Sequence, residues 1–88
     1  MTKNDNEKYF TTDLGLASAL LASNYNLLYL DRSLGKKINF VFRNCDNVNN
    51  IARAYWDNNL KISALAFFNS QKTLKNRIYS DSDKYETN

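Results

Sequence analysis

The chain has 88 residues, of which 43% are hydrophobic, and a formal net charge of +3 at pH 7. This length allows one domain with one core, because each of two halves would be too small to bury a stable core. The single cysteine excludes an internal disulfide, and the absence of histidine removes the commonest acid–base group and metal ligand. We expect a cytoplasmic protein without a membrane span. The N-terminus lacks a signal-peptide pattern, and Gly15 and Ser18 interrupt the longest apolar run.

The N-terminal quarter of the chain predicts a strand followed by a helix. Residues 1–7 are polar, and we expect them to form a disordered lead-in. The aromatic and β-branched segment 8–12 predicts a strand. Thr12 is expected to be the N-cap of a helix over residues 13–23 that ends at Asn24. Because this helix has almost no polar face, we expect other elements to cover it on more than one side.

Two β-prone segments separated by turn-forming residues predict a β-hairpin, with strands over residues 25–30 and 37–43. Polarity alternates along the second strand, which places three apolar side chains on the face toward the core: Ile38, Phe40 and Phe42. Val41 is the one apolar side chain of this strand on the outer face.

A helix is predicted over residues 47–57, with Asp46 as its N-cap. Its apolar side chains recur at helical spacing: Val48, Ile51, Ala52, Tyr55 and Trp56. We predict that Trp56 is buried between this helix and the next one, and recognition of a nucleic-acid base by its ring is the alternative.

The last helix is predicted over residues 64–79, with Ser63 as its N-cap. Phe67 and Phe68 are adjacent and therefore point about 100° apart on this helix. One ring packs inward, and the other is either covered by the first helix or available to a partner.

The predicted order of elements is β-α-β-β-α-α, and the predicted fold class is α+β, a three-stranded sheet with helices packed against it. If the first strand pairs with a strand of the hairpin, the first helix is the crossover and must be right-handed. The predicted organisation is a lead-in over residues 1–7, one domain over residues 8–79, and a polar, acidic tail over residues 80–88.

Several stretches of the chain together resemble a family of small bacterial and phage proteins that is catalogued as a domain of unknown function. These stretches are residues 10–17, 39–42, 54–62, 67–68 and 74–79. The likeness covers about residues 9–79. Its most specific parts are the aromatic pair Tyr55 and Trp56 and the basic ending over residues 75–79. The resemblance implies a stand-alone, single-domain protein of mobile or compact genomes, and it implies no catalytic residue.

We expect neither enzymatic activity nor a cofactor. A carboxylate–lysine nuclease centre would need an acidic residue on the strand after the hairpin turn, where the sequence has Asn39. The aspartates lie at helix starts or turns, where this residue is common: Asp13, Asp31, Asp46 and Asp57. Cys45 stands beside a helix start and near Arg43, which favours a thiolate, but no base or second cysteine accompanies it. We therefore expect an ordinary thiol.

Basic residues are concentrated in the middle of the chain. Residues 32–79 hold nine basic side chains and two acidic ones, whereas the segments on either side are net acidic. The residues that could follow a phosphate backbone are Lys36, Lys37, Arg43, Arg53, Lys72, Lys75, Arg77 and Tyr79. An ordinary solvated surface is the alternative, since exposed helix faces commonly carry lysine and arginine.

These observations lead to two hypotheses on function. The first is a small non-enzymatic binding module that holds nucleic acid through a basic surface with little sequence specificity. The second is a protein-interaction factor of phage or plasmid origin, acting by homodimerisation or by docking on a protein partner. A single contiguous positive face favours the first hypothesis, and a surface of mixed sign favours the second.

Overall fold

The computed structural model describes residues 8–44 and 47–86. Its elements are β1 (Lys8–Thr11), α1 (Leu14–Ala22), β2 (Leu27–Asp31), β3 (Asn39–Arg43), α2 (Val48–Trp56) and α3 (Ala64–Glu86). The predicted α+β class and the predicted order β-α-β-β-α-α are both confirmed. The lead-in over residues 1–7 and the two residues Cys45 and Asp46 lie outside the described residues.

The strands form one antiparallel sheet in the order β1-β3-β2. The central strand, β3, pairs with β1 through Phe10 opposite Val41, and with β2 through Tyr29 opposite Val41. An irregularity in β2 separates Leu27 from Tyr29. Because both outer strands run antiparallel to β3, they run in the same direction as each other. Helix α1 therefore connects two strands that are separated by β3.

Helix α1 lies at the centre of the core. Every residue from Leu16 to Leu20 is buried, which confirms that other elements cover this helix on more than one side. The polar group among them is satisfied, because Ser18 Oγ donates to the carbonyl of Leu14 at 2.8 Å. The residues of other elements that cluster with α1 are Phe40 and Phe42 from β3, Val48 and Ala52 from α2, and Leu74 from α3.

Side-chain caps fix the starts of two helices. Asp13, and not the predicted Thr12, is the N-cap of α1, because its Oδ2 accepts a hydrogen bond from the amide of Leu16 at 2.7 Å. Thr11 Oγ1 in turn accepts from the amide of Asp13 at 3.1 Å. The predicted cap of α3 is confirmed, since Ser63 Oγ accepts from the amide of Ala66 at 3.1 Å.

Asparagines in the left-handed backbone region flank two of the helices. Asn24 (φ 72°) follows α1 and Asn58 (φ 64°) follows α2, so the predicted ends of both helices are confirmed. Asn47 (φ 79°) holds the N-cap position of α2, where Asp46 was predicted. Asparagine tolerates this conformation better than most residues, so part of the high asparagine content has a local structural use.

The prediction that Trp56 is buried was wrong, because 60% of its surface is exposed. The buried side of α2 consists of Val48 and Ala52, with Tyr55 half-buried beside them. Trp56 is the last residue of this short helix and lies about 80° around its axis from Val48. Its ring contacts that of Tyr55 edge-on, with the centroids 5.0 Å apart. The centre of the core is therefore α1 and not Trp56.

Helix α3 begins where predicted but continues to Glu86, well past the predicted end at residue 79. It packs against α1 with one side. Leu74 is fully buried there, and Phe67 and Ile78 are half-buried. Within residues 8–44 and 47–86, no helix is both long and apolar enough to cross a membrane.

Candidate nucleic-acid interface

Helix α3 presents a stripe of exposed side chains away from buried Leu74. Successive members are three or four residues apart, which places them on one side of an α-helix. We call this set the α3 stripe: Leu65, Phe68, Lys72, Lys75 and Tyr79, all of which are exposed. Three of the residues predicted to contact nucleic acid therefore lie together, namely Lys72, Lys75 and Tyr79. Phe68 was not in that set, although its spacing from Lys72 could have indicated it.

A cation–π contact orders part of the α3 stripe. Lys72 Nζ lies 5.5 Å from the centroid of the Phe68 ring, one helical turn away. Both side chains are exposed, so the contact holds the lysine against the helix without removing its charge from solvent. The stripe thus presents an aromatic ring with a positive charge above it, next to a second ammonium from Lys75.

The loop between β2 and β3 is tied to the same helix. Arg32 Nη2 donates a hydrogen bond to the carbonyl of Ile78 at 2.7 Å, which anchors the start of the loop on the C-terminal half of α3. Lys36 and Lys37 follow in this loop and are exposed. Gly35 precedes them with φ 83°, a conformation in which glycine avoids the strain of other residues.

The remaining predicted contact residues lie elsewhere. Arg77 is exposed on the other flank of Leu74 from the α3 stripe, and Arg53 is exposed on the outer side of α2, which also carries Trp56. Arg43 is half-buried at the end of β3. The fold therefore does not bring all of the predicted residues onto one face, although it does unite Lys72, Lys75 and Tyr79.

The sheet carries a second cationic and aromatic surface on the side away from the helices. We call it the open sheet face: Lys8 and Phe10 of β1, Tyr29 of β2, and Val41 and Arg43 of β3. The Phe10 side chain is 50% exposed and the Tyr29 side chain 41% exposed, and between them Val41 is fully buried. Val41 was correctly placed on the outer face. The rings on either side of it were missed, because their alignment depends on the pairing of distant strands.

The exposed charges among the described side chains are predominantly positive. Among the side chains that the structure describes, Asp57 is the one exposed acidic group. The exposed basic groups are Lys8, Lys36, Lys37, Arg53, Lys61, Lys72, Lys75 and Arg77. The carboxylates of Asp13 and Asp31 both accept hydrogen bonds from backbone amides. The hydrogen bonds from the backbone and side chain of Ser33 lower the pKa of Asp31.

A family model described as a domain of unknown function, DUF5659, matches residues 6–80. The chain belongs to this family. The match covers the sheet, α1, α2 and all of the α3 stripe, which confirms the resemblance to a domain family of unknown function over nearly the extent that the sequence indicated. No curated protein and no solved structure shows significant similarity to the chain.

This DUF5659 domain also has a small groove beside α2. Its volume is about 250 Å³, and its lining residues are Tyr55, Asn58, Leu60, Ile62 and Phe67. Burial, and secondly the charge of Asp13, raise the pKa of the Tyr55 hydroxyl above its ordinary value. Among the described residues, no three His, Cys, Asp or Glu side chains are grouped so that they could hold a metal ion.

Proposed function

We propose that this protein is a non-enzymatic binding module of the cytoplasm that holds nucleic acid through phosphate contacts, with little dependence on sequence. The observation that carries the proposal is the sign of the surface, because exposed charges are basic with the exception of Asp57 among the described side chains. Lysine and arginine bind the phosphate backbone by displacing counterions. Contacts to phosphate position a protein without reading bases, which accounts for low specificity.

The α3 stripe supplies the first contacts in this proposal. Lys72 and Lys75 lie on one side of the helix, where both can contact the phosphate backbone of the same nucleic-acid strand. Phe68 and Tyr79 are exposed beside them and offer rings against which a sugar or a base can pack. Lys36 and Lys37 lie in the loop that Arg32 anchors on α3, and they extend the positive surface.

A protein partner is the second candidate, and it is favoured by the exposed apolar groups. Leu65, Phe68 and Tyr79 are large hydrophobic side chains that α3 leaves in solvent. Exposed apolar patches on small proteins often mark protein contacts. In this alternative the chain acts by homodimerisation or by docking on a protein partner, and the phage or plasmid origin inferred from the resemblance is the setting.

A binding titration with a matched pair of variants tests the proposal. We expect duplex DNA to bind at about 50 mM salt. The double variant Lys72→Glu with Lys75→Glu should weaken binding at least tenfold, because it replaces two ammonium groups on the same side of α3 with carboxylates. Lys61→Glu with Arg77→Glu makes the same change of net charge at positions outside the α3 stripe and is expected to weaken binding less. Equal losses would refute the assigned face. A wild-type protein that forms no complex would favour the protein-partner alternative.

A separate incubation tests the expected absence of enzymatic activity. We expect DNA and RNA to be recovered intact after incubation with the protein and Mg²⁺ or Mn²⁺. The carboxylates of Asp13 and Asp31 already accept backbone hydrogen bonds, which supports structural roles for both. Cleavage that Asp13→Asn or Asp31→Asn abolishes would contradict the proposal, because asparagine can still serve as a cap or turn residue.

A further inference from the structure

The open sheet face places one aromatic ring on each outer strand. Phe10 of β1 and Tyr29 of β2 both lie opposite Val41 of the central strand. Neighbouring strands are about 4.8 Å apart, so the two rings rise from backbones roughly 10 Å apart. Val41 forms the floor between them and is fully buried, whereas about half of each ring remains in solvent.

Positive charge accompanies the rings at one end of this face. Lys8 and Arg43 are directly opposite each other in the pairing of β1 with β3. The Lys8 side chain also reaches across the central strand, and its Nζ lies 5.6 Å from the centroid of the Tyr29 ring. The one acidic residue of the three strands, Asp31, lies outside this set at the other end of the sheet, opposite Asn39. Two cations and two rings therefore share one surface, with the carboxylate set apart from both cations.

We propose that the open sheet face binds single-stranded nucleic acid, with unpaired bases stacked on Phe10 and Tyr29 and phosphates held by Lys8 and Arg43. This inference rests on the proposed function and adds the state of the ligand. Stacking on an aromatic side chain needs a base whose π-face is free, which a duplex does not offer along its length. Any base can stack in this way, so the site remains tolerant of sequence.

Charge is what favours a nucleic acid over a protein on this face. A protein partner would have to cover Lys8 and Arg43 and supply acidic groups for them, whereas every nucleotide carries a phosphate and a base together. The open sheet face contains both complements across its three strands: cations at one end and rings in the middle. The α3 stripe lies on a different element, so substitutions on the two surfaces can be made independently.

The experiment compares three ligands with the same number of phosphates per strand. They are a 12-nucleotide oligothymidine, an abasic strand of the same length, and a 12-base-pair duplex, each titrated by fluorescence anisotropy at the same salt concentration. We expect the wild-type protein to bind oligothymidine at least tenfold more tightly than the abasic strand. Phosphate contacts are common to both strands, so this difference reports the contribution of the bases.

Leucine variants then locate the stacking site. Phe10→Leu and Tyr29→Leu keep an apolar cover over Val41 and remove only the rings. Each is expected to weaken oligothymidine binding about tenfold, as base–aromatic stacking gives by substitution, and to leave the abasic strand and the duplex unchanged. Tyr29→Phe and Phe10→Tyr keep a ring at each position and should bind oligothymidine as the wild type does.

The outcomes separate this inference from the proposed function. If the wild type binds oligothymidine and the abasic strand equally, while still binding the duplex, base stacking is refuted and phosphate binding stands. Wild-type affinity in both leucine variants would refute the open sheet face as the stacking site. If those variants instead convert a dimer into a monomer in sedimentation, the face is a protein interface and the inference fails. If none of the three ligands binds, the proposed function fails with it.

Discussion

Trp56 shows how far the role of one residue depends on its position around a helix axis. Its spacing from Val48 and Ala52 is compatible with a buried stripe, yet α2 is short and buries only the narrow side that those two residues define. The ring lies at the edge of that side and rests against Tyr55. A hydrophobic spacing pattern gives the direction of the core. The width of the covered side depends on what packs there.

We therefore predict that Trp56→Ala has a small effect on stability. Loss of an edge-on aromatic contact from a mostly exposed ring should lower the free energy of unfolding by about 1 kcal/mol. Phe42→Ala, at a fully buried ring of the core, serves as the comparison and should cost about 3–5 kcal/mol. Urea unfolding of both variants measures the two losses. A loss of about 3 kcal/mol or more for Trp56→Ala, the range of a buried ring, would contradict the exposed position.

At the scale of elements, the packing of α1 against α2 depends on Gly15. A Cβ atom at this position would collide with the hydroxyl of Tyr55 and would lie 3.2 Å from Asp13 Oδ2. Glycine inside a helix costs about 1 kcal/mol relative to alanine. Glycine is nevertheless the residue that fits at position 15, because the Tyr55 side chain occupies the space that a methyl group would need.

Gly15→Ala should consequently destabilise the protein, although alanine is the better helix former. Overpacking costs about 1–3 kcal/mol, which outweighs the gain in helix propensity. In a Tyr55→Phe background the loss should shrink, because the colliding oxygen is gone. Denaturant unfolding of the two single variants and the double variant measures this coupling.

Gly35→Ala is the matched control for that cycle. Gly35 has φ 83°, and a Cβ atom at this position would meet no other atom within 4 Å, so the substitution introduces backbone strain without a collision. A loss of about 1 kcal/mol is expected, and Tyr55→Phe should not change it. If Gly15→Ala proves stabilising in the wild-type background, the close packing of Tyr55 on α1 is wrong.

At the scale of the whole molecule, local sequence patterns were sufficient to predict the secondary-structure elements. They were not sufficient to predict which side chains share a surface. Hydrophobic periodicity and turn residues predicted every element in order, and the start of α3 at Ala64, with Ser63 as its N-cap, was correct to the residue. The cap of α1 was misplaced from Asp13 to Thr12, because adjacent residues are both good caps and only the hydrogen bond to Leu16 distinguishes them.

The arrangement of side chains on the surface depends on contacts between distant parts of the chain. Phe10 and Tyr29 come together only because β1 and β2 both pair with β3, which alternation within a strand does not reveal. Likewise, spacing along α3 is enough to place Lys72 and Lys75 on one side of the helix and to turn Arg77 away from them, whereas the separation of Arg53 from these lysines depends on how α2 and α3 pack against α1. The arrangement of side chains within one element was therefore predictable from the sequence. The set of side chains that different elements bring to one face was not.

The salt dependence of nucleic-acid binding tests the central claim most directly. If the basic surface makes about three to five phosphate contacts, the logarithm of the association constant should fall against the logarithm of salt concentration with a slope of roughly −2 to −4.5. Lys72→Glu with Lys75→Glu should make the slope shallower by about 1 to 2, since two of those contacts are lost. Titrations from about 50 to 200 mM salt, with duplex DNA and with oligothymidine, measure the slope for the wild type and for the double variant. A binding constant that does not change with salt, or no complex with either ligand at the low end of that range, would contradict the account.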